Sequence, residues 1–507
     1  MLFSTLSAAL VGCAGVDHPI GLSRVAAKRN TTSAPSATRE AIRPKPRLQT
    51  VEPRAGHLAE DSPTGAVVQL SFQPPDAKQV LTPEQAVALA LQANPDLESA
   101  RHQVSHAAAV LAQARSEWYP QLRAHERYAV TDNPNQVFGF LQNQGRLELF
   151  SGGLADAERE LNNPAPIDNF LTQLALEHTV YNGGRRQART HAAESRHEAR
   201  QFALAAVKNE LVYYVIESYY RLLQARELVD VRLEAVHQVK QQLADAQSRV
   251  EAGTAVRSDV LAFQVRLAEV EEDFISARNH TKLAWAILEN VTGASMAGWE
   301  LPDELPEARW AAGFERIETA VAEAIHGRPE VFELELDRQA ADHEVRAAEA
   351  ERYPTIDFFG AYEVYTGDFN QGHDNFFVGL AVGLNLFDAG RTDAAERQAR
   401  ATVCRLRSQS KRLLLDVELA VRRAYLQLDD AKQRAEVTRR GVDHAEEQLR
   451  EVEARYRGEM ATITEMIDAQ VALSNARVRN IDTQADVEVA RTALARAVGR
   501  LVDAFTS

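Results

Sequence analysis

Two stretches of this chain carry one pattern: "VYNGGRRQAR" at Val180–Arg189 and "LFDAGRTDAAERQAR" at Leu386–Arg400. Each places an aromatic, an Asn or Asp, a glycine and an arginine between an alternating apolar run and a long helix-forming stretch. Working outward, the context repeats as well. Asn94-Pro95 and Arg328-Pro329 open helical stretches that close at Tyr119-Pro120 and Tyr353-Pro354, both pairs 234 residues apart. Gly184 and Gly390, Gln264 and Gln470, and Gly293 and Gly499 are each 206 apart. The chain is therefore one long unit written twice, with 28 extra residues in the first copy between Pro120 and Gly184.

Each unit has a strand part and a helix part. Before Phe387, the residues Phe376, Val378, Leu380, Val382, Leu384 and Leu386 fall on one face of a strand, while Gly379, Ala381, Gly383 and Asn385 fall on the other. The first unit shows the same alternation more weakly, through Leu122, Tyr128 and Val130, then Phe170, Leu174, Leu176 and Val180. Strands of about ten residues with one apolar face suit a membrane barrel wall. The following stretch, Arg185 to Ala252, holds no Pro or Gly and predicts roughly 100 Å of helix. Val215, Leu222, Val229, Val236, Leu243 and Val250 recur at sevens, and Val421, Leu428, Ala435, Val442, Leu449 and Tyr456 repeat the stripe. That spacing predicts supercoiled helix packing. Each long helix should reverse, near Gly253 and Gly458, with a further interruption at Gly441.

The motif then reads as a junction. Tyr119-Pro120 and Tyr353-Pro354 end helices, because proline disfavours helix in the residue before it. Two strands follow, and the motif returns the chain to helix. Asn182 and Asp388 are placed to accept bonds from free N–H groups at the helix start. Gly184 and Gly390 allow backbone angles that other residues avoid. Tyr181 and Phe387 sit where a barrel carries its interfacial aromatics, and Arg185 and Arg391 open the helices. Four strands cannot close a barrel, and open sheet edges are not tolerated in lipid. Transmembrane strands would therefore have to be pooled by several chains.

Composition narrows the function. A net charge of −15 over 507 residues argues against a nucleic-acid partner. Mean hydropathy is −0.33, and no apolar run reaches the length of about 20 that a membrane-crossing helix needs. Two cysteines make no disulfide framework. The start, "MLFSTLSAALVGC", is a short apolar run ending in Leu10-Val11-Gly12-Cys13. It has the h-region of a secretory signal, without a preceding Lys or Arg, and its end resembles the lipobox of bacterial lipoproteins, in which the cysteine is acylated. No phosphate-binding loop is present, and "GASMAG" (Gly293–Gly298) misses the nucleophile-elbow spacing, so no catalytic activity and no cofactor are expected. His102 and His106, four apart, match a metal pair on one helix face, but a solvated pair is the plainer reading.

On these residues the chain resembles the outer-membrane efflux protein (TolC) family. The match covers Leu81 to Leu501. It rests on the duplication, the two motif exits, and the hairpin turns "RVEAGTAVRSDVLAFQVRL" (Arg249–Leu267) and "ARYRGEMATITEMIDAQVAL" (Ala454–Leu473). The fold class it implies is mainly α with a transmembrane β part: a homotrimer whose 12-stranded β-barrel is continued by a periplasmic α-helical barrel. It further implies a passive exit duct, docked to a periplasmic adaptor and an inner-membrane pump, in outer-membrane lipid. A lipid anchor at Cys13 fits such relatives. The family's pore constriction lies at the hairpin tips; carried over by motif, it falls on Glu465 and Asp468, with Ser258, Asp259 and Tyr456 as bonding partners. The family's glycine after that tyrosine is Glu459 here, and the arginine some relatives carry two residues later is Ala461, leaving Arg257 or Arg457 as substitutes.

The domain plan that follows is a signal peptide 1–13, a Pro/Ser/Thr-rich linker 14–80, and a first repeat 81–300 with strands about 121–131 and 170–181 and a helical hairpin 185–292. A connecting segment 301–320 leads to a second repeat 321–501 with strands about 355–365 and 376–387 and a hairpin 391–498, then a tail 502–507. The alternative is a periplasmic coiled-coil scaffold without a pore, which explains the heptads but neither the strands nor the duplication.

Overall fold

The computed structural model describes residues 79–147, 162–254, 256–302, 306–307, 316–367, 372–458 and 460–506. Cys13, the linker as far as residue 78 and Glu459 lie outside them. The described body opens with β1 (Gln79–Val80), which pairs in parallel with β4 (Trp299–Glu300), two residues before the expected start of the first repeat at 81. Two short helices follow, α1 (Pro83–Ala93) and α2 (Pro95–Ser116). Thr82 caps the first through a capping box with Gln85, and Asn94 caps the second, accepting from the Asp96 and Leu97 amides.

The chain then makes β2 (Gln121–Thr131), a helix α3 (Pro134–Asn143), and β3 (Ile167–Asn182). Two helices follow without an intervening strand: α4 (Arg185–Glu251) of 67 residues and α5 (Arg257–Thr292) of 36. The second repeat gives α6 (Ile317–Gly327), α7 (Pro329–Glu349), β5 (Thr355–Thr366), β6 (Gly372–Gly383), then α8 (Arg391–Arg457) and α9 (Ile463–Val498), again of 67 and 36 residues. A last turn of helix, α10 (Asp503–Thr506), occupies the expected tail. None of the described helices is long and apolar enough to cross a membrane.

The strands form one antiparallel sheet in the order β2-β3-β5-β6. Directly paired residues share a face. Leu122 pairs with Leu176, Leu176 with Gly360 and Gly360 with Val378, so one face collects Leu122, Leu174, Phe358, Tyr362, Phe376, Val378 and Leu380. The other face is largely polar and internally bonded, with Leu171, Phe359 and Phe377 as apolar members: Arg123 reaches Glu177 at 2.8 Å, Gln173 reaches Glu363 at 2.6 Å, and Thr179 reaches Asp357 at 2.6 Å. Glu126 is an exception on the apolar face, where it accepts from the Thr172 hydroxyl. The outermost strands β2 and β6 each have a neighbour on one side only.

Two expectations need correction. The strand expected at 376–387 is shifted to Gly372–Gly383. Gly383 pairs with Thr355, the first residue after Pro354, and proline has no N–H to extend the ladder. Leu384 and Leu386 thus continue the alternation, and Phe387 follows it, without a strand partner among the described residues. The expected interruption at Gly441 does not occur, and α8 runs through it. An interior glycine costs a helix only about 1 kcal/mol, which packing along so long a helix outweighs.

The heptad stripe is the core. Val215, Leu222 and Val421 are fully buried, with Val236, Leu428 and Leu449 nearly so. Midway along α4, Tyr219 and Tyr220 are both fully buried, and their hydroxyls donate to the carbonyls of Leu81 and Pro306, both at 2.8 Å. These bonds strap the start of the body and the inter-repeat segment onto the long helix. The 28 extra residues of the first copy fall in the β2–β3 connection: β5 and β6 are joined by residues 367–371, β2 and β3 by residues 132–166. Within the longer connection residues 132–147, which include α3, and 162–166 are described.

Candidate functional site

At the first strand-to-helix junction, Gly183 and Gly184 take φ of +68° and +86° in succession, which turns β3 into α4. The Asn182 carboxamide accepts from the Arg186 amide at 3.2 Å, as its position before the helix implied. The second junction uses Ala389 and Gly390 at φ +55° and +83°. There Asp388 accepts from the amides of Gly390 (3.0 Å) and Thr392 (2.9 Å) and from the Thr392 hydroxyl, and that hydroxyl above all holds its carboxyl below the usual range. Tyr119 and Tyr353 are exposed where α2 and the turn after α7 end, and Pro120 and Pro354 start the strands. Tyr181 is part-exposed and Phe387 almost fully so.

Three residues absent from the sequence expectations bind these junctions. Arg186, only 9% exposed, donates through Nη1 to the carbonyls of Glu117 (3.0 Å) and Thr179 (2.7 Å). Its guanidinium lies 4.2 Å from the Trp118 ring centroid, and Trp118 Nε1 donates to Thr190 at 3.1 Å. Glu351 is the third. The two motif arginines converge on its carboxylate, Arg391 at 3.1 Å and Arg185 at 3.9 Å. A signal for it was present: both repeats read Glu-x-Tyr-Pro, at Glu117–Pro120 and Glu351–Pro354.

At the other end of the molecule the hairpin tips bring some expected residues together and leave others apart. Tyr456, near the end of α8, faces Asp259 at the start of α5; burial first, and then that negative charge, push its phenol up. Arg249 covers the Tyr456 ring at 5.4 Å. Ser258 reaches only its neighbour Asp259, at 3.4 Å. Glu465 is the third residue of α9 and closes a capping box: its carboxylate accepts from the Thr462 amide (2.7 Å) and hydroxyl (3.0 Å), and Thr462 accepts in return from the Glu465 amide (3.3 Å). Arg455 stands 3.8 Å away. The bond from the Thr462 amide is the first cause that holds the Glu465 carboxyl below its ordinary range. Asp468, one turn on, is exposed and free of any such bond among the described residues. A cavity of about 370 Å³, bordered by Gln242, Arg249, Phe263, Tyr456 and Met466, separates the ends of α4 and α8.

His102 and His106 are both exposed on α2, with Glu98 3.7 Å from the first. Among the described residues no three potential ligands form a metal-binding group.

This architecture has close counterparts among known proteins. The outer membrane efflux protein family model matches residues 86–294 and 320–500, one segment per repeat. The outer membrane efflux protein BepC of Brucella suis is 24% identical over 333 residues, 65% of this chain and 72% of that protein. The cobalt-zinc-cadmium resistance protein CzcC of Cupriavidus metallidurans is 25% identical over 327 residues, 63% of this chain and 74% of that protein. Among solved structures, a Pseudomonas aeruginosa membrane protein superposes with a TM-score of 0.71 at 19% identity, covering 83% of this chain and 91% of its own. The Vibrio cholerae outer membrane protein VceC gives 0.67 at 18%, covering 82% and 96%. With the family model spanning both repeats, the chain belongs to the outer membrane efflux protein family.

Proposed function

We propose that three copies of this chain assemble into a passive outer-membrane exit duct, the outermost part of a tripartite efflux or secretion system. One observation carries the reading: a four-stranded sheet with an apolar face, a polar bonded face and two one-sided edges. Such a sheet meets lipid only when its edges are closed. Three copies supply twelve strands, β6 of one beside β2 of the next, with the apolar face outward and the Arg123–Glu177 face lining the lumen. The long hairpins then form a helical barrel on the periplasmic side. Their tips carry the constriction and face the periplasmic adaptor and the inner-membrane pump.

Acylation of Cys13 would anchor the chain to the same membrane. The strap at Leu81 lies beside Tyr219, about 50 Å along α4 from Arg185. Residues 14–78 can span at most about 230 Å when extended, ample to bring Cys13 back to the bilayer. Palmitate labelling of wild type and Cys13→Ser should differ; equal labelling would remove the anchor.

The duct is tested by reconstitution. The purified protein should run as a heat-dissociable trimer in SDS and open steady conductances in planar bilayers. A monomer without conductance would favour the coiled-coil scaffold. A tag inserted beside Asn163, in the β2–β3 connection, should be reached by antibody on intact cells. Labelling only after permeabilisation would invert the topology.

A further inference from the structure

The geometry points to a closed ring of alternating arginine and glutamate at the barrel–helix junction, completed by Glu117 of each copy against Arg391 of the next; we propose it as an inter-subunit clamp. It rests on the trimeric reading above.

The argument uses the repeat itself. Residues on α2 correspond to residues on α7 by a shift of 234, and those on α4 to those on α8 by 206. Two contacts between these helices correspond too, although the Glu351–Arg391 pair has no Glu117–Arg185 counterpart among the described residues of one chain. Arg115 pairs with Glu194 at 2.9 Å across α2 and α4. The shifted positions are Glu349 and Arg400, and these pair at 3.0 Å across α7 and α8 with the charges exchanged. Trp118 bonds Thr190; the shifted positions are Arg352 and Glu396, which also pair. Two side-chain contacts therefore recur in the same places although the chemistry differs. The α2–α4 seam and the α7–α8 seam are copies of one another.

A third seam, α7 against α4, joins the two repeats within the chain. Its copy would join α2 to an α8, and the chain's own α8 lies beyond α7. Only a second copy can supply it. Across the observed seam, Glu351 receives Arg185 from α4 and Arg391 from α8. Shifting each residue gives Glu117 between its own Arg185 and Arg391 of the next copy. The charges fit without exchange. Glu117 is exposed and borders, with Arg185, a cavity of about 500 Å³ at the junction. Arg391 keeps about two-thirds of its side chain exposed while holding Glu351, and its planar fork has donors to spare. Three copies yield six carboxylates alternating with six guanidiniums, at the level where the sheet meets the helices.

The test uses full-length protein in a Cys404→Ser background, with Glu117→Cys on one chain and Arg391→Cys on a differently tagged chain, co-expressed. The two side chains are long, so the link is a short bis-maleimide rather than a direct disulfide. The expected result is a covalent pair carrying both tags. A Tyr214→Cys chain in place of Arg391→Cys, at a distant level of α4, should give none. If native mass spectrometry shows trimers and no doubly tagged pair forms, the ring is overturned and the trimer stands. If no trimers are present, the duct reading itself fails and takes the ring with it.

Discussion

At Gly183 an added Cβ would stand 2.6 Å from the Ala350 carbonyl oxygen and 2.7 Å from the Tyr353 Cβ, on a backbone already at φ +68°. Gly183→Ala should therefore destabilise by more than the roughly 1–2 kcal/mol of left-handed strain alone. The matching position of the second repeat holds Ala389 at φ +55°, so Ala389→Gly should relieve strain and gain up to about 1 kcal/mol. The midpoint of trimer dissociation on heating in SDS measures both; equal shifts would mean that the two turns are not the same device. Beside them, Arg186→Met removes two bonds to carbonyls and the Trp118 contact. It should cost about 3 kcal/mol, and Thr392→Val in the second repeat about 1 kcal/mol. The sequence made Asn182 and Asp388 legible as caps, because capping is a local rule. It hid Arg186, whose partners lie 7 and 69 residues away and leave no periodic mark. The repeated Glu-x-Tyr-Pro marks Glu351, and Thr-x-x-Glu at Thr462 marks the Glu465 capping box, although neither role was among the expectations.

For whole elements, period decided nearly everything. Seven-residue spacing found both long helices and their core stripe, and two-residue alternation found all four strands. Their ends were less legible, since a strand stops where its partner stops: β6 ends at Gly383 because β5 begins at Thr355. Within the stripe, burial falls from the middle of α4 toward the tip. Leu222 is fully buried and Leu243 only partly. Leu222→Ala should cost about 3 kcal/mol and Leu243→Ala about 1 kcal/mol, read as trimer stability against denaturant. A larger cost at Leu243 would mean that the neighbouring copy buries the tip more deeply than its own chain does.

The whole molecule separates its two chemistries by about 100 Å of helix: junctions at the membrane end, acids at the far end. Three copies would bring three Asp468 and three Glu465 carboxylates around one axis. The two are not equivalent. Glu465 already accepts from Thr462 twice and has Arg455 nearby, so much of its charge is used in starting α9. Asp468 is exposed and unengaged among the described residues, so its field is free to act on a passing ion. Asp468→Asn should lower cation over anion selectivity and weaken block by multivalent cations in planar bilayers. Glu465→Ala, which removes the capping acceptor that a glutamine would keep, should leave selectivity nearly intact and loosen the tip, seen as noisier conductance. The pH dependence follows from the depressed Glu465 carboxyl. Its capping contribution is complete above the ordinary glutamate range and is lost only as pH falls through the lower, folded-state value. From pH 7 to 5, gating noise in the wild type should therefore stay constant, and it should rise on stronger acidification. In Glu465→Ala the noise should be high throughout and lack that acid step. If Glu465→Ala instead abolishes cation selectivity while Asp468→Asn leaves it unchanged, the constriction uses the capping acid, and the assignment of the free charge to Asp468 is wrong.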